Sequence, residues 1–584
     1  MSKANNTKAI IFTVTLLSFM VILIAGTIFY VYKDPVISET VATEQTVETT
    51  ETTMAVREKR VSVYGTSDIQ GKIIDSSSGD KTTYQYRLAY MAKIFSDART
   101  SGDYDDVLLV DAGDIYKGDP ISNLSEGAAL RAAFDKMGYD AVTLGTGDFE
   151  WDATRFATDG TATIPSYELG EFSGNPTIPV IAANLYNTNN KSRSLFTKDY
   201  VIVEKAGARI ALIGYISDVS SQVLSNNMDQ FEIHEDLAEF AKRVKEIKAA
   251  ENPTITVVVA HCDAITVANA MDPADVNLVV GGVTNSGVYG TAENGVAYMQ
   301  AESDAKGYAH ATFVLKSDGS VKIEYMTYVS IMDSEQALYD TSANSDNFDP
   351  DVLAISRTVV DSTSDAMNEA LGYIDTSVER SGVISGRTTT AGNFLTGLIL
   401  EGMKGQGVVA AFHNCGGMNK DLIISEEGGL YQVSASDIYA IASQDYTLLI
   451  YELTGEELAK QIANGFANGD YGDQMSGLTF EYKNNGTETE PVIEVVSITL
   501  SDGTKVDVKD QKTKYKVCIT NYCAKVAGSV FEGKKPVKDE KDAPIDNQLI
   551  IKTLRNRKSS GDVHIPTDNK PRGSVASENN NNGN

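Results

Sequence analysis

The sequence is short of positive charge. Fifty Lys and Arg stand against 80 Asp and Glu, a formal net charge of −30. That balance excludes non-specific nucleic-acid binding and suits a soluble, surface-exposed protein. Cysteine is also scarce: Cys262, Cys415, Cys518 and Cys523 are all there is, at spacings that match no zinc motif. Four cysteines allow three disulfide pairings; the other reading is small buried thiols. Long apolar runs are lacking too, with one exception. Residues 9–32 carry no charge over 24 positions, about the length that crosses a bilayer core. Lys3 and Lys8 precede the run, and Lys33, Asp34 and Glu39 follow it. Positive-inside bias then predicts a cytoplasmic 1–8, an anchor over 9–32 in the lipid bilayer of the cell membrane, and an extracellular remainder. A cleaved signal peptide is the rival; its apolar core would be shorter, and no convincing small-x-small cleavage site stands near Gly26. Residues 33–57, rich in Thr and Glu, have neither a helical apolar stripe nor Gly-Pro turns and read as a disordered stalk. The polar residues 557–584 read as a disordered tail.

What is present is an α/β pattern. The hydrophobic share of 42% and charged share of 22% are ordinary for globular protein, and 584 residues suffice for several domains. The stretch Leu108–Pro120, LLVDAGDIYKGDP, is a buried strand that ends on small residues and leaves the Asp114 carboxylate at its tip. Ligand groups in open α/β sheets sit at such strand ends. Strands alternate with helices through 58–333, and the same tip chemistry recurs at Asp68, at the Gly145–Asp152 loop, at His261 and at Gly281–Asn285. Residues 334–370 read as linker and helix. A second, smaller α/β unit covers 371–556, with landmarks at Thr388–Phe394, His413–Asn419 and an amphipathic helix capped by Thr454. His413 reads as a solvent-facing loop residue, and His261 taken alone as a hydrogen-bonded strand-end histidine.

The order of these segments over about residues 58–535 resembles the bacterial 5'-nucleotidase family, which includes UDP-sugar hydrolases and 2',3'-cyclic-nucleotide phosphodiesterases. The resemblance implies a four-layer metallophosphoesterase-type sandwich with two metal ions, followed by a nucleotide-binding domain. The family's TND-x-HG is here Thr66-Ser67-Asp68-Ile69-Gln70-Gly71, and its DAGD-x-x-x-G is Asp111–Gly118. Its GNHEFD is Gly145-Thr146-Gly147-Asp148-Phe149-Glu150, so the catalytic His position is Gly147 and its acidic partner Glu150. The His of the family's SH-x-G is kept as His261, and GGHTH becomes Gly281-Gly282-Val283-Thr284-Asn285.

By that resemblance Asp68, Asp114 and His261 survive as metal ligands. Asp68, Gln70, Asp114 and Asn285 would form one all-oxygen site for Mg²⁺, Ca²⁺ or Mn²⁺. The other site would keep Asp114 and His261 but face Thr146 and Val283, and is expected to be empty. In the second domain Asn393, Asn414, Gly416, Gly417 and Phe531 fall on nucleotide-binding positions. The phosphate-binding Arg is Asn419, and one stacking Phe is lost from Ser443-Gln444-Asp445-Tyr446. Two readings follow. One is a cell-surface hydrolase scaffold with its two-metal centre decayed, acting as a binding protein. The other is a single-metal hydrolase of nucleotide phosphoesters. Glu150 with Asp148 is the candidate acid/base pair.

Overall fold

In the computed structural model, the described residues are 57–576 apart from 76–82, 126, 150–176, 190–191, 193–195, 218–227, 229, 382, 386–387, 427, 468–472, 488–489, 527–528, 539 and 541–542. The expected anchor, the stalk to residue 56, and Glu150 lie outside them. Among the described residues no helix is long and apolar enough to cross a membrane.

The first domain is two packed sheets. In the first sheet, Lys59–Thr66, Asp106–Asp111 and Ala141–Val142 run parallel, and Gly307–Leu315 and Val321–Ser330 extend it antiparallel. In the second, Ala208–Ile216, Ile255–His261 and Leu278–Gly281 are parallel and adjacent. Side-chain alternation divides each strand between two cores. Val61, Val63, Leu108 and Val110 meet Ile210, Leu212, Ile255, Val257 and Val259 between the sheets. Tyr64, Val107 and Leu109 face outward to the helices Arg87–Thr100, Ala128–Met137 and Pro350–Met367. On the opposite face, Ala211, Ile213 and Val258 pack against Phe240, Val244 and Ile247 of Leu237–Glu251. Helix, sheet, sheet, helix is the four-layer order expected. The Pro350–Met367 helix starts sharply because the Asp349 carboxylate accepts from Asp351 and Val352 N–H and Pro350 needs no donor partner. It contributes Val352, Leu353 and Val359 to the first domain's core, so the 334–370 segment is built into that domain.

The second domain holds a four-stranded sheet of Leu448–Thr454, Lys514–Thr520, Ala410–Asn414 and Asp473–Ser476. A second four-stranded sheet is completed by Gly573–Val575, which pairs in parallel with Phe480–Tyr482. Thr454 caps its helix reciprocally with Glu457, as expected.

The tail reading fails for residues 557–576. The helix Asp546–Ser559 is followed by a strap tied down mainly through its backbone. Asn393 donates to the carbonyls of Asp568 and Lys570 at 2.7 and 3.0 Å, and Arg572 reaches the Met475 carbonyl, Ser476 Oγ and Asp568. All four cysteines are free thiols, with Cys518 and Cys523 buried.

Candidate functional site

The parallel strands of both sheets end at one edge of the sandwich, and their tips converge there. Asp68 follows Lys59–Thr66, Asp114 follows Asp106–Asp111, and His261 closes Ile255–His261. One ligand atom from each of these three lies within 4.8 Å of the others. His261 is buried, and its Nδ1 faces the Ala112 carbonyl at 3.0 Å. A carbonyl only accepts, so Nδ1 donates to it, and Nε2 is the ring nitrogen left for a ligand; this follows from the hydrogen bond. Asp68 is 1% exposed. Burial pushes its carboxyl up to about 6; His261 and the Val283 N–H pull the other way, and Asp114 adds to the rise.

Backbone bonds hold these tips together. Asp68 N–H donates to the Gly113 carbonyl at 2.9 Å and Gln70 N–H to the Asp114 carbonyl at 2.9 Å. Gly147 N–H donates to Asp114 Oδ1 at 2.5 Å. Asp148, which is fully buried, accepts from four backbone N–H groups: Asp114 and Gly145 at 2.9 Å, Ile115 and Tyr116 at 3.0 Å. Burial pushes its carboxyl up to about 7 and Asp114 adds to the rise, opposed by those N–H groups. Asp148 is thereby the anchor of the Asp114 loop, not a free acid or base. The non-glycine residues Asp68, Gln70, Asp114, Val283 and Asn285 all have positive φ. Such conformations gather where surrounding bonds over-determine a loop.

The expected ligand grouping changes in one respect. His261 joins Asp68 and Asp114 in a single cluster, while the Gln70 amide donates to Asn285 Oδ1 at 3.3 Å. Gln70 and Asn285 both line the cavity beside the cluster. One imidazole nitrogen and two carboxylates are a donor set that suits one divalent cation of intermediate softness. Thr146, Gly147 and Val283 line the same cavity of about 250 Å³. Neither Gly147 nor Val283 offers a side-chain donor.

Lys117, Ser443 and Gln444 also line this cavity, so the second domain closes one side of it. Asn123 of the first domain donates to Asp445 Oδ2 at 2.9 Å, and the Lys117 ammonium lies 3.9 Å from the same carboxylate. Burial pushes the Lys117 ammonium down in pKa, against Asp445, Asp546 and Asp114. Sequence reasoning missed Lys117 and Asp445; their signal was position alone, inside motifs read for other residues.

The second domain corrects three expectations. Phe531 is 2% exposed and packs on Tyr451 at 4.7 Å, so it is a core residue. Asn393 holds the C-terminal strap, its Nδ2 taken by two carbonyls. His413 is fully buried and bonded to Asp546 at 3.1 Å. In the segment that lacks the stacking Phe, Tyr446 stacks on the half-exposed Tyr522 at 5.7 Å and 30°. Asn414 and Gly417 stay beside it: Asn414 Nδ2 donates to Tyr446 Oη at 3.4 Å. A Cβ on Gly417 would meet the Tyr446 ring at 2.5 Å, which is why that position is glycine. Gly416 is exposed at the turn.

A two-sheet α/β sandwich with a carboxylate–histidine cluster at its strand tips, closed by a second α/β domain, is the two-domain fold of 5'-nucleotidases. Residues 370–532 match the family described as 5'-nucleotidase, C-terminal domain. The chain is 21% identical over 451 residues to the trifunctional nucleotide phosphoesterase protein YfkN of Bacillus subtilis, covering 71% of this chain and 29% of that protein. It is 24% identical over 239 residues to a 5'-nucleotidase of Vibrio parahaemolyticus, covering 38% and 39%. Among solved structures, the 5'-nucleotidase precursor of Thermus thermophilus superposes with a TM-score of 0.60 at 16% identity, over 89% of this chain and all of that one. The 5'-nucleotidase of Candida albicans superposes at 0.53 and 12%, over 85% and 98%. The chain thus carries a 5'-nucleotidase C-terminal domain and has 5'-nucleotidases and nucleotide phosphoesterases among its homologues, as its motifs led us to expect. It spans only about a third of the length of the curated relatives named here.

Proposed function

We propose that this chain is a membrane-anchored, extracellular protein of 5'-nucleotidase type. In this reading it binds one divalent cation and a nucleotide-type phosphoester, and its two-metal hydrolysis has been lost. The observation that carries the reading is the contrast within one cavity. Asp68, Asp114 and His261 converge, while Gly147 and Val283 bring no donor. A bound cation would supply Lewis-acid polarisation of a phosphoryl oxygen. The chain's own part is to hold it: Asp148 fixes the Asp114 loop, the Ala112 carbonyl orients His261, and the Val283 N–H steadies Asp68. Tyr446 and Tyr522 offer a stacking face for a base, worth on the order of 1–3 kcal/mol for a ring stacked on one side.

Metal analysis and a phosphatase assay on the purified full chain test this, with Mn²⁺, Mg²⁺, Ca²⁺ and Zn²⁺ supplied in turn. One bound cation per chain with little turnover of AMP or cyclic nucleotides is expected. Vigorous turnover that Asp114→Asn abolishes would instead establish the second reading, a single-metal hydrolase. The free Nε2 of His261 and the intact Asp148 anchor favour that reading enough to keep it. The anchor is tested separately: recovery of the full chain in the soluble fraction of lysed cells would sink it.

A further inference from the structure

Within the cavity that holds the Asp68, Asp114 and His261 cluster, Lys117 is the one Lys or Arg among the described lining residues. Its side chain is 8% exposed. It leaves the backbone beside Gly147: a Cβ built on Gly147 would lie 3.2 Å from Lys117 Cβ and 2.9 Å from Asp114 Oδ1. The ammonium points to Asp445 of the second domain at 3.9 Å, which is an ion-pair separation longer than a hydrogen bond. Asp445 is itself held from both sides, by Asn123 at 2.9 Å and by Asn547 at 2.5 Å, at a positive φ. So a buried lysine lines the cavity of the acidic cluster, and a carboxylate beside its ammonium comes from the domain that closes the cavity.

We propose that Lys117 is the anion-recognition residue of this pocket: it takes a phosphoryl-type oxyanion bound at the cluster, and that oxyanion displaces Asp445 as its partner. The proposal rests on the reading that the cluster holds one cation. Two carboxylates neutralise a divalent cation, so an arriving oxyanion needs a further positive group nearby, and Lys117 is the one placed for it. Asp445 is the internal stand-in for that anion. Because Asp445 also accepts from Asn123 across the domain boundary, anion binding is coupled to how firmly the second domain closes on the first. The oxyanion is the chemistry shared by free phosphate and a phosphomonoester.

The test is a pair of titrations on the full chain. Mn²⁺ binding is read by electron paramagnetic resonance. Inorganic phosphate and AMP binding are then read by calorimetry at saturating Mn²⁺. Lys117→Met is expected to leave Mn²⁺ affinity within about threefold and to weaken both phosphate and AMP at least about tenfold, the loss of one charge-assisted contact. Lys117→Gln stands in where Lys117→Met fails to fold, and Lys117→Arg restores binding. Asp445→Asn is expected to tighten phosphate severalfold, about threefold or more. Unchanged phosphate affinity in Lys117→Met or Lys117→Gln overturns the assignment while the cation reading stands. Unchanged affinity in Asp445→Asn overturns the exchange. A wild-type chain that binds no Mn²⁺ is a different result; it overturns the cation reading and this proposal with it.

Discussion

Under the proposed reading, a cation at the cluster competes with a proton on Asp68. In the cation-free protein, burial raises that carboxyl from 3.8 to about 6. A tenfold change in proton affinity is about 1.4 kcal/mol, so the ionised form of Asp68 costs the folded protein about 3 kcal/mol. The sign follows. The folded state holds this proton more tightly than the unfolded state, so the stability it confers is present below about pH 4 and lost as pH rises through about 6. A divalent cation replaces the proton and recovers that loss. At about pH 5, roughly ten protonated molecules compete for each ionised one, and apparent cation affinity falls about tenfold from its neutral plateau. The assay is Mn²⁺ titration by electron paramagnetic resonance at about pH 5, 6 and 7.5, with melting curves in parallel. We expect affinity to rise about tenfold across that range and Mn²⁺ to raise the melting temperature more at the upper end. Asp68→Asn should remove both effects. An affinity that is flat from about pH 5 to 7.5, or an Asp68→Asn protein that binds Mn²⁺ as tightly as wild type, would refute the reasoning.

Other perturbations separate structure from chemistry. Asp148→Ala orphans three buried N–H groups and one part-buried one and should cost at least about 3 kcal/mol; hydrogen exchange at Asp114, Ile115, Tyr116 and Gly145 should accelerate and Mn²⁺ affinity should drop. Burial lowers His310 from 6.5 to about 4, so it contributes up to about 3 kcal/mol that is fully present above pH 6.5 and lost as pH falls toward 4. Urea denaturation should show that slope, and His310→Gln should flatten it. Deleting residues 560–584 uncovers Asn393 and the Leu478–Asn484 strand edge, and should lower stability by at least about 2 kcal/mol; an unchanged melting curve would show the strap to be idle. Val283 is 42% exposed, so Val283→His has room and should tighten Mn²⁺ binding. Gly147→His forces a Cβ to within 2.9 Å of Asp114 Oδ1 and should weaken it.

The first domain was legible because its strands are continuous apolar runs, buried on both faces, and the residue after each run marks a strand tip. That Asp68, Asp114 and His261 share one site was what the family resemblance implied. Misreadings arose where tertiary contact decides. Phe531 and Tyr446 are both aromatic residues in plausible loops, and residue type does not say which ring is buried against Tyr451 and which stacks on Tyr522. The strap over 560–576 has no apolar stripe, because side chains from other segments hold it by its carbonyls. His413 gave no local hint of Asp546, 133 positions later.

The backbone around the cluster shows what holds the loops in place. Val283 is β-branched, and at φ 77° it pays the steric strain that glycine or asparagine would avoid. A local preference of valine therefore cannot be what sets this loop. Its N–H is fixed instead by the Asp68 carboxylate at 3.0 Å, as Asp114 is fixed by Asp148 and Gly147. Backbone-to-carboxylate bonds of this kind depend on the acids at 68, 114 and 148. Position 283, 42% exposed, leaves its side chain room, whereas at 147 a Cβ would press on the Asp114 carboxylate. Asp68, Asp114 and His261 thereby keep one ligand atom each within 4.8 Å of the others, which is the arrangement that the proposed one-cation site requires.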